Sequence, residues 1–281
     1  MKRLLVVGHR GMLGTDLVKR LEAGDVETHG ADLPELDITD PAAVARAVDE
    51  VRPDVVVNCA AYTDVDGAES HRDEAMRVNG PGAGNVAEAA ARCDARVLHI
   101  STDFVFDGTA DVPYLEDDAP HPLSVYGASK LAGERDVAAR ADDHLIIRTS
   151  WLYGAAGRNF VTTIRKLAAE REELSVVDDQ RGSPTWTCDL ADAIVALLDT
   201  DARGIVHASG SGACTWYEFA VEIVRLSGFA TAVKPIASTQ MLRPARRPAN
   251  SVLDTSRLAE VTAFRFPHWH DSLAAFLADI A

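Results

Sequence analysis

Arg3-Leu-Leu-Val-Val-Gly8-His-Arg-Gly11-Met-Leu-Gly14 decides how this chain folds. Residues Arg3 to Val7 form a short apolar run of the kind found in strands buried on both faces, and it breaks at glycine before a helical pattern through Leu17, Val18 and Leu21. A strand, a tight turn and a helix N-terminus therefore follow in order. Glycines let the backbone approach a pyrophosphate, while the first amides and the dipole of the helix favour its negative charge. The spacing is G-x-x-G-x-x-G, and it makes Gly8, Arg10, Gly11, Met12, Leu13 and Gly14 candidate dinucleotide-binding residues. Asp32 closes the second strand about twenty residues on, where a carboxylate commonly accepts from the adenosine ribose hydroxyls.

Two later strands point at the same crevice. Asp54-Val-Val-Val-Asn58 runs into Cys59-Ala-Ala61-Tyr62-Thr63, whose small residues suit packing against a flat cofactor, and Arg96-Val-Leu-His-Ile100 ends in Ser101-Thr102-Asp103. Ligands of open parallel sheets bind at the carboxyl ends of the strands, so these ends converge on one site. Asn58 and Thr63 read equally well as loop caps or as direct contacts. Next comes Tyr126-Gly-Ala-Ser-Lys130. At i and i+4 of a helix, the phenol and the ammonium leave from one face, and a nearby cation is expected to lower the phenol pKa by about 1–3 units. Thr102, Tyr126 and Lys130 are the candidate catalytic residues of a carbonyl reductase.

The formal charge of −15 over 281 residues argues against nucleic acid or an anionic membrane surface as partner, since each calls for a clustered basic face. A small-molecule substrate is expected. Cys59, Cys93, Cys188 and Cys214 lie far apart without a C-x-x-C, which reads as reduced thiols of a cytoplasmic protein. No signal h-region, membrane-length apolar run or H-E-x-x-H is found, so neither a membrane nor a metal is expected.

From Arg3 to about residue 150, apolar strands alternate with helical patterns, giving an α/β class with a doubly wound, Rossmann-type parallel sheet. The expected division is a dinucleotide-binding domain over 1–150 and a smaller substrate-binding lobe over 151–281, with about 160–200 returning to the sheet. In that lobe Arg243-Pro-Ala-Arg246-Arg247 is a basic cluster in an acidic chain, readable as a solvated loop or as a clamp for substrate phosphates. Trp151, just past the strand Leu145-Ile-Ile-Arg148, offers a flat apolar face and an N–H to a sugar.

These segments together resemble the extended short-chain dehydrogenase/reductase family nearly end to end. Gly8, Gly11 and Gly14 match its loop, Leu36-Asp37-Ile38-Thr39 its adenine-side segment, and Asn58-Cys-Ala-Ala-Tyr-Thr63 its nicotinamide-side loop. Ser101-Thr-Asp-Phe-Val-Phe-Asp-Gly108, Tyr126-Gly-Ala-Ser-Lys130 and Arg148-Thr-Ser-Trp151 look like its catalytic and sugar-binding segments, and Asp179-Gln-Arg-Gly-Ser-Pro-Thr185 and Arg247-Pro-Ala-Asn-Ser251 extend the match. Nucleotide-sugar 4,6-dehydratases carry Thr-Asp-Glu where this chain has Thr102-Asp103-Phe104, so the acid pair of a dehydratase is missing and a reductase remains.

The resemblance implies hydride transfer from NADPH, with NADH as the alternative, to the C4 ketone of a dTDP-linked 6-deoxyhexulose. It implies that Tyr126 protonates the alkoxide, that Thr102 donates to the same oxygen, and that Asp103 and Trp151 contact the sugar. It also implies that Lys130 lowers the pKa of that phenol and, with Tyr126, contacts the nicotinamide end of the cofactor through its ribose hydroxyls. Arg246 and Arg247 are expected on the nucleotide diphosphate. Arg10 could neutralise the 2′-phosphate of NADPH if Asp32 turns away. Another C4-ketoreductase of a natural-product deoxysugar is the second reading, and a non-catalytic regulatory subunit of the methionine adenosyltransferase type is a third. A homodimer is compatible with the resemblance.

Overall fold

Residues 1–280 are described in a computed structural model of the chain. Its centre is a parallel sheet of six strands, in the order Gly204–His207, β5 (His144–Thr149), β4 (Arg96–Thr102), β3 (Val55–Asn58), β1 (Lys2–Val7) and β2 (Val26–Ala31). Strand alternation explains why the central strands are apolar throughout. Leu4 and Val6 face a cluster with Leu17, Leu190 and Ile194, while Leu5 and Val7 face a second cluster with Val44, Val86 and Val137. The chain has the expected α/β, Rossmann-type architecture, with helices on both faces of the sheet.

Local sequence sets the helix starts. Asp40 accepts from the amides of Ala42 and Ala43 at 2.9 and 3.2 Å, and Pro41 opens the helix Pro41–Val51 at a position where no amide is needed. Ser124 accepts from the Gly127 amide at 3.2 Å and opens the helix Val125–Arg140. This helix docks unusually close to its neighbours because two of its residues lack a side chain. A Cβ on Gly127 would lie 2.2 Å from the Phe104 carbonyl oxygen, and one on Gly133 would lie 2.1 Å from that of Asn79.

The part of the chain beyond residue 150 divides its allegiance. Helix Thr187–Leu198 packs on α1 (Met12–Glu22), and strand Gly204–His207 pairs with β5 at the edge of the main sheet. Strand Glu173–Val177 does not extend that sheet, as its sequence position suggested. It pairs instead with Ala232–Ile236 in a separate two-stranded ladder. The reason lies on both sides of the choice: the free edge of β5 is taken by Gly204–His207, and Leu174 and Val176 bury against Phe219 and Ile223 in a core of their own with Tyr153 and Phe276. No helix among the described residues is long and apolar enough to cross a membrane.

Candidate active site

The glycine loop has the features needed to hold a dinucleotide. Gly8 sits at φ +80°, where L side chains are strained, and a Cβ there would meet the Ala60 amide nitrogen at 2.6 Å; on Gly14 it would meet the Gly8 carbonyl oxygen at 2.2 Å. Helix α1 starts at Gly11 with no side-chain cap and no acidic residue in its first turn, so its leading amides are open to an anion. Asp37 and Thr63 are exposed and Ile38 is buried. The Ala61-Tyr62-Thr63 loop is pinned by a residue that sequence reasoning passed over. Buried Asn79 accepts from the Tyr62 amide at 2.8 Å, donates to the Tyr62 carbonyl at 3.0 Å, and donates to Ser129 on the Tyr126 helix at 2.9 Å.

At the adenosine end the expected tug between Arg10 and Asp32 takes another form. The Asp32 carboxylate accepts from the Arg10 and Leu33 amides at 2.9 and 2.8 Å. The Arg10 guanidinium is forked onto Glu35 at 2.9 and 3.0 Å, which raises its pKa and holds Glu35 below the usual carboxylate range. A 2′-phosphate would therefore compete with Glu35 for Arg10, and that pair is exposed and easily exchanged.

Thr102, Asp103, Tyr126 and Lys130 come together where β4 meets the Tyr126 helix. Thr102 donates to Asp103 at 3.0 Å and accepts from the Phe104 amide at 3.2 Å. Phe104 meets the Tyr126 ring edge to face at 5.5 Å. Asp103 is 1% exposed, and its Oδ2 has no hydrogen-bond partner among the described residues. Burial pushes this carboxyl up to about 6, and the Ser251 and Thr102 hydroxyls pull it back only partly.

The phenol differs from the sequence expectation. Burial pushes Tyr126 up to about 12, with the Asp103 charge acting the same way and the Thr102 hydroxyl opposing. Lys130 does not bring it down, because burial lowers the lysine itself to about 8 and its nitrogen is held by the Ile100 carbonyl at 2.7 Å. Tyr126 is thus fully protonated at neutral pH, the state a proton donor needs.

Three of the segments singled out in the sequence, 101–108, 179–185 and 247–251, are neighbours in space. Asn250 donates its amide to Gly108 at 3.2 Å, Ser251 to the Arg181 carbonyl at 2.8 Å, and Arg181 to the Ala249 carbonyl at 2.8 Å. Beside them lies a cavity of about 540 Å³ lined by Arg181, Ser183, Ser211, Asn250 and Asp254 among others. Trp151 stands at φ +48° and is half-buried, stacked on Trp216 with ring centres 3.4 Å apart and planes 3° apart. The indole is therefore not a bare plate. Trp216 covers one face, and Gly182 lies so close that a Cβ there would fall 2.3 Å from the Trp151 ring.

The arginine cluster splits. Arg247 forks onto Asp66 at 3.2 and 3.0 Å, with Arg243 on the same carboxylate at 3.4 Å, so the segment is strapped to the loop after β3. Burial alone would raise the Asp66 carboxyl, but Arg247, the Ala245 amide and Arg243 together outweigh it and hold it low. Arg246 is exposed. Asp66 and Trp216 carried no sequence signal, since each acts through a partner far along the chain.

The family model described as RmlD substrate binding domain matches residues 1–281. The chain belongs to this family. It is 46% identical over 278 residues to the dTDP-4-dehydrorhamnose reductase of Streptomyces griseus, covering 96% of this chain and 91% of that one. It is 42% identical over 275 residues to the dTDP-4-keto-6-deoxy-D-glucose reductase of Streptomyces niveus, covering 96% and 95%. Its fold is similar to that of the Bacillus anthracis dTDP-4-dehydrorhamnose reductase solved in complex with NADP, with a TM-score of 0.96 at 40% identity, covering 99% of this chain and 100% of that one.

Proposed function

We propose that this chain is an NADPH-dependent reductase of the C4 ketone of dTDP-4-dehydro-L-rhamnose, giving dTDP-L-rhamnose. The observation that carries the reading is the junction of β4 with the Tyr126 helix, where the phenol stands protonated beside Thr102 and Asp103. NADPH, when bound, supplies the hydride. The glycine loop and the open amides of α1 would hold its pyrophosphate, and the Tyr62 loop, fixed by Asn79, would line the nicotinamide side.

Tyr126 gives its proton to the developing C4 alkoxide, and Thr102 turns its hydrogen from Asp103 onto the same oxygen. That turn leaves Asp103 short of a donor, and Oδ2 already lacks one, so the carboxylate suits a sugar hydroxyl. The Trp151–Trp216 stack forms an apolar wall beside the deoxysugar. Arg246, exposed on the strapped segment and without the Asp66 fork, is the arginine we assign to the substrate diphosphate, while Arg247 keeps the strap in place.

Reduction of a different dTDP-4-keto-6-deoxyhexose is the second reading, favoured by the similarity to the S. niveus reductase. The two separate in one assay. NADPH oxidation is followed with dTDP-4-dehydro-L-rhamnose and with dTDP-4-keto-6-deoxy-D-glucose, and each product is identified by NMR. A higher kcat/KM for the L-sugar supports the first reading; preference for the D-sugar establishes the second, and turnover of neither sinks both.

A further inference from the structure

The mechanism above leaves unused a buried imidazole directly behind Lys130. His99, on β4 and 1% exposed, has its Nε2 3.5 Å from the Lys130 nitrogen and its Nδ1 3.3 Å from the Asn58 side-chain nitrogen. We propose that Asn58 locks His99 in the tautomer carrying its proton on Nε2, so that His99 is a positioning residue that favours the neutral amine form of Lys130.

The argument is one of donors and acceptors. The Asn58 oxygen accepts from the Ala60 amide at 3.1 Å, and flipping the side chain would set its NH2 against that N–H. Asn58 therefore presents NH2 to His99, whose Nδ1 must accept. A neutral imidazole with Nδ1 accepting carries its hydrogen on Nε2, pointed at Lys130. An ammonium offers only hydrogens to that donor, whereas an amine offers a lone pair. The ammonium still has one good acceptor, the Ile100 carbonyl at 2.7 Å, so both forms are held and the imidazole shifts the balance between them.

The charges around the pair are few. Glu134, one turn along the same helix, pulls toward the ammonium, but its charge is shared with buried Arg148, which it meets at 2.9 and 2.7 Å. From the β3 end, the Cys59 thiol faces Lys130 and would favour the ammonium if ionised, yet burial pushes it up to about 12. His99 itself is kept neutral by burial and by Lys130. Burial outweighs the pulls of Glu134 and Cys59 and lowers the lysine to about 8, within reach of physiological pH. What this means for the reaction rests on the catalytic role that the sequence leads one to expect of Lys130; the tautomer and the lysine midpoint do not.

The test is therefore made on the free protein. With ¹⁵N-histidine, His99 should show a protonated Nε2 and an unprotonated Nδ1; the reverse assignment overturns the proposal. With ¹³C-lysine, the Lys130 signal, assigned by its loss in Lys130→Met, should titrate near the lowered value and move up by about one unit in His99→Gln, whose carbonyl can accept from an ammonium. An unmoved midpoint in a folded variant overturns it too. Full turnover by Lys130→Met would instead strike at the catalytic reading and leave the tautomer standing.

Discussion

The inner and outer ends of the proposed cofactor and substrate site are built on opposite principles. At the reacting end Thr102, Asp103 and Lys130 are 6%, 1% and 2% exposed, and burial is the largest influence on Asp103, Tyr126 and Lys130 alike. At the outer end Arg10 is exposed and forked onto Glu35, and Arg247 is forked onto Asp66. Withdrawal from water makes a single group at the inner end decisive, because no solvent replaces what it offers. Outer charges are paired, screened and replaceable. Substitutions should therefore lose force from the inner end outward.

The largest loss is expected for Tyr126→Phe, which removes only the hydroxyl. Turnover should fall by about 10²–10³ or more with NADPH affinity kept, as measured by single-turnover kinetics and by titration of the cofactor. Turnover within a few-fold of the unaltered enzyme would place the proton donor elsewhere.

Asp103→Asn sharpens the contrast through stability. A carboxyl raised to about 6 in the fold binds its proton more tightly there than in the unfolded chain. Its contribution is fully present below about pH 4 and is lost as pH rises through about 6. The amide escapes that loss, so denaturant unfolding should show the variant gaining on the parent across this window, by on the order of 3 kcal/mol at neutral pH, while its activity falls. Parallel stability curves for the two proteins would show that the Asp103 carboxylate carries no such burden.

Trp151→Ala stands between the two ends. It removes half of the indole stack and leaves Trp216 without its partner, so C4 is less well placed and kcat should drop by about tenfold. A change confined to KM would mean that the stack only walls the cleft. The smallest effects belong to the arginines. Arg246→Ala should raise the substrate KM several-fold with kcat nearly constant, and the difference should fade at high salt. Arg247→Ala should also loosen the strap to Asp66, detectable as faster amide exchange in residues 243–251. Equal KM values at low salt in Arg246→Ala would return Arg246 to a solvated loop.

The inner end was largely readable in the sequence because each of its residues lies in a local pattern: a strand ending in Ser101-Thr102-Asp103, a helix carrying Tyr126 and Lys130 on one face, a glycine loop between strand and helix. What these groups do electrostatically was not readable. That Tyr126 is raised and Lys130 lowered depends on how deeply Gly127 and Gly133 let their helix sink, which is a matter of packing. The outer end was legible only as composition. Arg246 and Arg247 look alike in sequence, and Asp66, far away in the chain, is what separates them. Residues of about 160–200 were expected to return to the main sheet, yet their strand Glu173–Val177 joins a second ladder, since an apolar alternation fits either.

The central claim is that this chain moves a hydride to C4 of a dTDP-linked 6-deoxyhexulose. The most direct measurement uses NADPH deuterated at both hydrogens of nicotinamide C4, with dTDP-4-dehydro-L-rhamnose as acceptor, and locates the label in the product by NMR. One deuterium at the sugar C4 for each NADPH oxidised is the expected result. Deuterium at another carbon, or oxidation of the cofactor with no label in the sugar, would contradict the account.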